Sequence, residues 1–152
     1  VAAFVRDQLR DRKDSHILLE CVASLPTGMT VIPDQYDDYM RLHYYQDRYP
    51  QAAHFAWVAD MDREVAWQKT DNISRTMLNL QQFTSLPVIG YDDLLRDNRT
   101  IAILQSKSNR RDWLIHQLEQ DHAQLTWVKT IGDHVIYRVE LPPSAQYGSR
   151  IP

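Results

Sequence analysis

The chain has 152 residues, 43% of them hydrophobic and 24% charged, with a formal net charge of −3 at pH 7. That composition belongs to a globular chain with a buried core and excludes an intrinsically disordered one. The slightly acidic balance gives no electrostatic reason to bind nucleic acid, the single cysteine excludes an internal disulfide or a cysteine zinc site, and no run approaches the ~20 apolar residues of a membrane span.

Val1 to Arg12 places Val1, Phe4, Val5 and Leu9 on one face and Arg6, Asp7, Arg10 and Asp11 opposite, the pattern of an amphipathic helix. Asp14-Ser15 reads as the cap of a second helix, His16 to Ser24, which Pro26 and Gly28 end. Cys21 lies in its apolar part and reads as a small buried hydrophobe. Met29 to Pro33 is the first strand. Gln35 to Tyr49 is a helix with Tyr36, Tyr39, Met40, His43 and Tyr44 toward one side, stopped by Pro50.

Ala53 to Ala59 is a second strand, apolar nearly throughout, as a strand covered on both faces is. Asp60-Met-Asp62 reads as a turn. Glu64 to Phe83 reads as a helix carrying Val65, Ile73, Met77 and Leu80, with an interruption near Thr70-Asp71. Leu86 to Gly90 is a third, weaker strand, and Tyr91 to Asn98 a short helical turn.

Thr100 to Gln105 is a strand, Ser106 to Arg111 a polar loop, and Asp112 to Asp121 a helix with Trp113, Leu114, Ile115 and Leu118. Two β-rich runs, 125–130 and 134–141, flank the turn signal Gly132-Asp133 and predict a hairpin. Pro142-Pro143 ends it, and 142–152 reads as a loose tail.

Helices alternating with strands predict an α/β fold: one domain over 1–152 with a three-layer, open, mainly parallel sheet and a C-terminal antiparallel hairpin. Trp57, Val58, Ile101, Ile103, Leu114 and Leu118 are the expected core. Trp67, Trp113 and Trp127 also sit among apolar residues, which favours core packing.

Open α/β sheets bind ligands beyond the carboxyl ends of their strands. Those ends carry Asp34, Asp60, Asp62, Ser106 and Lys107, the candidate ligand-binding rim. Asp34, Asp60 and Asp62 suit a hard divalent cation, and the Ser106–Ser108 loop before a helix suits an anion. The same residues are also good caps and turn formers at such places. No phosphate loop, histidine metal spacing or nucleophile elbow occurs, so no catalytic residue, resident metal or cofactor is assigned.

One resemblance stands beside this reading. Leu25-Pro-Thr-Gly-Met-Thr-Val-Ile-Pro-Asp34, followed by a helix holding Leu42-His-Tyr-Tyr45, resembles the start of the soluble extracytoplasmic domain of bacterial dolichyl-phosphate-mannose–protein mannosyltransferase-like membrane enzymes. The strand, helix and hairpin that finish in Val135-Ile-Tyr-Arg-Val139 are similar to the ending of that domain. The resemblance covers most of 25–141. It implies a periplasmic accessory domain of a glycosyltransferase that uses a polyprenyl-phosphate sugar, non-catalytic by itself. Its partners would be the membrane-embedded part of the same chain and a lipid-linked sugar or acceptor. The catalytic acids of that family lie in loops between membrane helices, so none is carried over. The ends of the chain, Val1-Ala-Ala-Phe-Val5 and Gly148-Ser-Arg-Ile-Pro152, read as those of a piece of a longer protein. Two alternatives stay open: a free-standing, metal-assisted enzyme acting on a phosphorylated small molecule, and a ligand-binding module of a receptor.

Overall fold

The computed structural model describes residues 2–48, 54–107 and 112–143. The elements run α1 (Ala2–Ala23), β1 (Thr30–Pro33), α2 (Tyr36–Tyr44), β2 (His54–Phe55), β3 (Trp57–Ala59), α3 (Met61–Gln68), α4 (Asn72–Gln81), β4 (Val88–Gly90), α5 (Tyr91–Asp97), β5 (Thr100–Ser106), α6 (Asp112–Gln120), β6 (Gln124–Ile131) and β7 (His134–Glu140). A 3-10 turn, Gln46–Arg48, follows α2. The side chains of Val1, Phe4, Val5 and Leu9, the stop at Pro50, Ser108 and the tail after Pro143 lie outside the described residues.

Several elements differ from the sequence reading. The two N-terminal helices are one, because neither Pro nor Gly interrupts Ala2 to Ala23. Asp14 lies inside that helix, and its carboxylate is 3.9 Å from the Arg41 guanidinium of α2. The turn read at 60–62 is the start of α3, with Asp60 as its N-cap accepting from the Arg63 N–H. The interruption expected near Thr70-Asp71 is present: Lys69 ends α3 in the left-handed region, at φ 64°. Fusing α3 and α4 would need that residue in helical geometry.

The expected second strand is two, β2 and β3, with Ala56 between them. The backbone changes partner there. The Ala56 N–H donates to the Val31 carbonyl and the Trp57 N–H to the Pro87 carbonyl. One sheet has the order β2-β1-β5-β7-β6, and β3 pairs with β4. The β1–β2, β1–β5 and β3–β4 ladders are parallel, and β5–β7 and β6–β7 are antiparallel. This is a mixed α/β fold with a C-terminal antiparallel hairpin. Gly132 sits in the hairpin turn at φ 58°, and a Cβ there would lie 3.0 Å from Ile17 of α1. A side chain is therefore opposed twice, by conformation and by space.

The sheet has apolar residues on both sides. Val31, Ala102, Leu104 and Ile136 join a cluster with Leu18 and Cys21 of α1, Tyr39 and Leu42 of α2, and Met77 of α4. Ile32, Ile101, Ile103 and Val139 join another with Tyr91 and Leu94 of α5 and Trp113, Leu114 and Leu118 of α6. Alternation along each strand sends neighbouring residues to opposite faces, so one strand serves both clusters. The expected core residues Trp57, Val58, Ile101, Ile103, Leu114 and Leu118 are all buried. Trp67 and Trp127 are not: 47% and 60% of their surfaces are exposed. Trp67 stacks on His116 instead, with ring centroids 3.8 Å apart, and Trp127 lies on the edge strand β6. Val65 on α3 and Ile73 on α4 are exposed as well, so each lies on an outward face of its helix.

Candidate functional site

β1 is flanked by β2 on one side and β5 on the other, so the chain's crossovers part between β1 and β5. Ligand sites of open α/β sheets lie at such a parting, beyond the carboxyl ends. β1 ends at Pro33, opposite Leu104 of β5, which places Asp34 beside Ser106. Asp34 is only 3% exposed. Its N–H donates to the Leu104 carbonyl at 3.0 Å, and its Oδ1 accepts from the Ser106 N–H at 2.9 Å. Two of the expected rim residues are thus joined, across 72 positions of sequence.

The hairpin completes this corner. Ser106 is the register partner of His134, and partners in an antiparallel ladder share a face. The Ser106 hydroxyl donates to Asp133 Oδ2 at 3.3 Å, and the Lys107 N–H donates to the Asp133 carbonyl at 2.9 Å. Lys107 itself is exposed, with Nζ 3.4 Å from the Gly132 carbonyl. Asp38, in the first turn of α2, lies 2.8 Å from His134 Nε2 through its Oδ2. Burial works against a charge on the His134 imidazole, but the hydrogen bond and charge of Asp38, with Asp133 and Asp34 behind them, outweigh it and raise its pKa. At this corner Asp34, Asp38, Ser106 and His134 are buried, and Asp133 is exposed beside them.

Asp60 and Asp62 belong to a different grouping. Asp60 caps α3 and pairs with the Arg63 guanidinium, which also reaches Asp92 at 3.4 Å. That guanidinium lies 4.8 Å from the centre of the Tyr91 ring. Burial again opposes the charge on Arg63, and Asp60 and Asp92 overcome it, raising its pKa. Asp62 is exposed on α3. Among the described residues no group of three or more His, Cys, Asp or Glu side chains is placed to hold a metal ion. The cation suggested for Asp34, Asp60 and Asp62 therefore lacks its ligand set.

No protein-family model and no curated protein matches this chain.

The sequence marks Asp133 as a turn residue and gives no sign that Asp38, Asp133 and His134 meet at this corner. His134 was visible only as the start of a strand, and Asp38 only as an acidic residue early in a helix, where such residues are common. The insertion of β7 between β5 and β6 is what brings His134 to Ser106. A cleft of about 310 Å³ lies at the opposite, amino ends of β1 and β2. Phe55, Ala56 and Ile89 give it an apolar lining, with Thr30, Asp93 and Asn98 as polar neighbours. Asp93 there is paired with Arg96 at 2.6 Å. No helix among the described residues is long and apolar enough to cross a membrane.

Proposed function

We propose that this chain is a periplasmic accessory domain of a membrane glycosyltransferase that uses a polyprenyl-phosphate sugar, and that it performs no transfer by itself. One observation carries the non-catalytic part. Asp34, Asp38 and Asp60 are engaged in holding elements together, while Asp62 is exposed. Asp34 accepts from Ser106, Asp38 binds His134, and Asp60 caps α3 and pairs with Arg63. A metal-assisted enzyme keeps such groups turned toward metal and substrate. The glycosyltransferase part rests on the resemblance of 25–45 and 135–139 to that family's extracytoplasmic domain, and on a strand–helix–hairpin ending of the expected order.

In this reading the domain has three layers, with α1, α2 and α4 on one face of the sheet and α5 and α6 on the other. The two apolar clusters that share β1, β5 and β7 support that arrangement. The partner is the membrane-embedded part of the same protein, and the rim near Asp34, Ser106 and Lys107 is the place for weak contact with a lipid-linked sugar or acceptor. Asp34 and Asp133 repel a bare phosphate unless a cation lies between, so binding is weak without a divalent ion.

Calorimetric titration of the chain with a polyprenyl-phosphate analogue, with and without magnesium, tests the reading. Binding that is weak without magnesium and strengthens with it is expected, and no turnover of sugar-phosphates or nucleotides. Tight binding without metal, or turnover by the chain alone, would establish the free-standing enzyme instead. The reading frame upstream of Val1 separates the remaining readings: a block of membrane spans supports the transferase, a single span the receptor module.

A further inference from the structure

We propose that Asp38 and His134 form a proton-operated tie between the first turn of α2 and the β6–β7 hairpin, firm while His134 is protonated and slack once it is neutral. The two residues are 96 positions apart, meet at 2.8 Å, and are 5% and 8% exposed. His134 Nδ1 is buried and has no hydrogen-bond partner among the described residues. The imidazole's hold on the rest of the protein is therefore its Nε2 contact with Asp38.

The groups facing this pair come from five places. α2 supplies Asp38 and Arg41, whose Nη1 lies 3.7 Å from Asp38 Oδ1, and α1 supplies Asp14 behind Arg41 at 3.9 Å. α1 also brings Cys21, whose thiol feels the Asp38 charge. Asp34 after β1 and Asp133 in the hairpin turn both favour the imidazolium. Lys107 after β5 is the opposing cation, held at the exposed Gly132 carbonyl.

Neutral His134 still offers an N–H to Asp38, but its charge is gone. Among the described residues, a carboxylate shut off from water then keeps only Arg41, 3.7 Å away, as a charged partner. Removing one charge of a buried pair is costlier than never having had the pair. The strain falls on the first turn of α2. That helix has nine residues, and its N-cap residue, Gln35, makes no side-chain capping bond. A helix so short depends on tertiary contacts. Tyr39 and Leu42 stay buried in the core, so the helix body is retained while its first turn loosens. That turn begins two residues after Asp34, and its loosening uncovers the Asp34–Ser106 junction. The tie thus makes access to the carboxyl-end rim depend on pH, whichever ligand that rim serves.

The direction follows from the raised pKa. The imidazole binds its proton more tightly folded than unfolded, so the stabilisation is complete below the ordinary value of 6.5 and is lost as pH rises through the raised value. Histidine NMR titration of the whole chain, with amide exchange at Tyr39 and Met40 corrected for the intrinsic pH effect, reads both ends of the tie. His134 should titrate above 6.5, and Asp38→Asn should lower that value. The corrected exchange rate in the wild type should rise by about tenfold for each unit by which the pKa is raised. His134→Gln should exchange at the fast level at every pH. If His134→Gln fails to fold, the wild-type exchange profile and the Asp38→Asn titration still decide. A flat wild-type profile, an unmoved His134 titration in Asp38→Asn, or a pH dependence that survives in His134→Gln would each overturn the proposal.

Discussion

The Trp57 indole N–H donates to the Ser74 hydroxyl at 3.1 Å, tying β3 to α4 inside the core. Ser74 in turn donates to Glu64 of α3, and Glu64 Oε1 accepts from the Asp60 N–H at 3.3 Å. Trp57, Ser74 and Glu64 are all buried. One hydroxyl thus satisfies an indole donor and a carboxylate acceptor together, and it holds the α3–α4 corner shut. Ser74→Ala should cost about 1–3 kcal/mol, because it leaves two buried groups short of a partner. Chemical denaturation measures this, and an unchanged midpoint would show that the chain from Trp57 to Asp60 adds no stability.

Leu118 packs among Trp113, Leu114 and the sheet residues Ile101 and Ile103, with no surface exposed. Leu118→Ala removes three carbons from a filled space and should destabilise by about 2–5 kcal/mol. Replacing the neighbouring exposed Glu119 should change the midpoint far less. Equal effects at the two positions would mean that α6 presents a different face to the sheet.

Period and punctuation made most of the elements legible. The apolar runs at 29–33 and 100–105 are strands, and Gly132-Asp133 marks the hairpin turn because only a left-handed residue closes it without strain. What escaped was whatever depends on where distant segments meet. Ala56 changes strand partner in the middle of an unbroken apolar run, and no local residue signals it. Trp67 and Trp127 have apolar neighbours in sequence, yet one is on an outward helix face and the other on a sheet edge. Asp34 and Ser106 were found because both end strands. The contact between His134 and Asp38 has no local signal, because it joins residues 96 positions apart. Asp60 was seen as a ligand candidate and is a helix cap, a reading its position before Arg63 and Glu64 equally allowed.

Lys69 ends α3 at φ 64°, a conformation that strains any side chain with a Cβ. Its ammonium donates to the Ala66 carbonyl at 2.8 Å, but on the exposed surface. Such a contact offsets little of the backbone strain. Lys69→Gly should therefore raise stability, by roughly 0.5–1 kcal/mol. Thermal denaturation decides it. A lowered midpoint would show that the Lys69 side chain contributes more than its backbone strain costs.

Cys21 has no exposed surface. Burial, reinforced by the charges of Glu20 and Asp38, pushes its thiol from an ordinary 9.0 up to about 12. Only the thiolate attacks a disulfide or alkylating reagent. At pH 8 the folded chain should thus hold about a thousandfold less thiolate than the unfolded chain, and react more slowly by at least that factor. The sign for stability follows from the same shift. Above pH 9 the unfolded chain loses the thiol proton while the folded one keeps it, so the fold weakens as pH rises. Cys21→Ala should remove that alkaline term while losing some packing against Val22 and Leu18. Ellman-type titration with and without denaturant measures the first effect, and the pH dependence of the denaturation midpoint above pH 9 measures the second. Rapid labelling of the native protein at pH 8 would mean that α1 lifts off the sheet far more often than its buried contacts with Tyr39 and Leu42 permit.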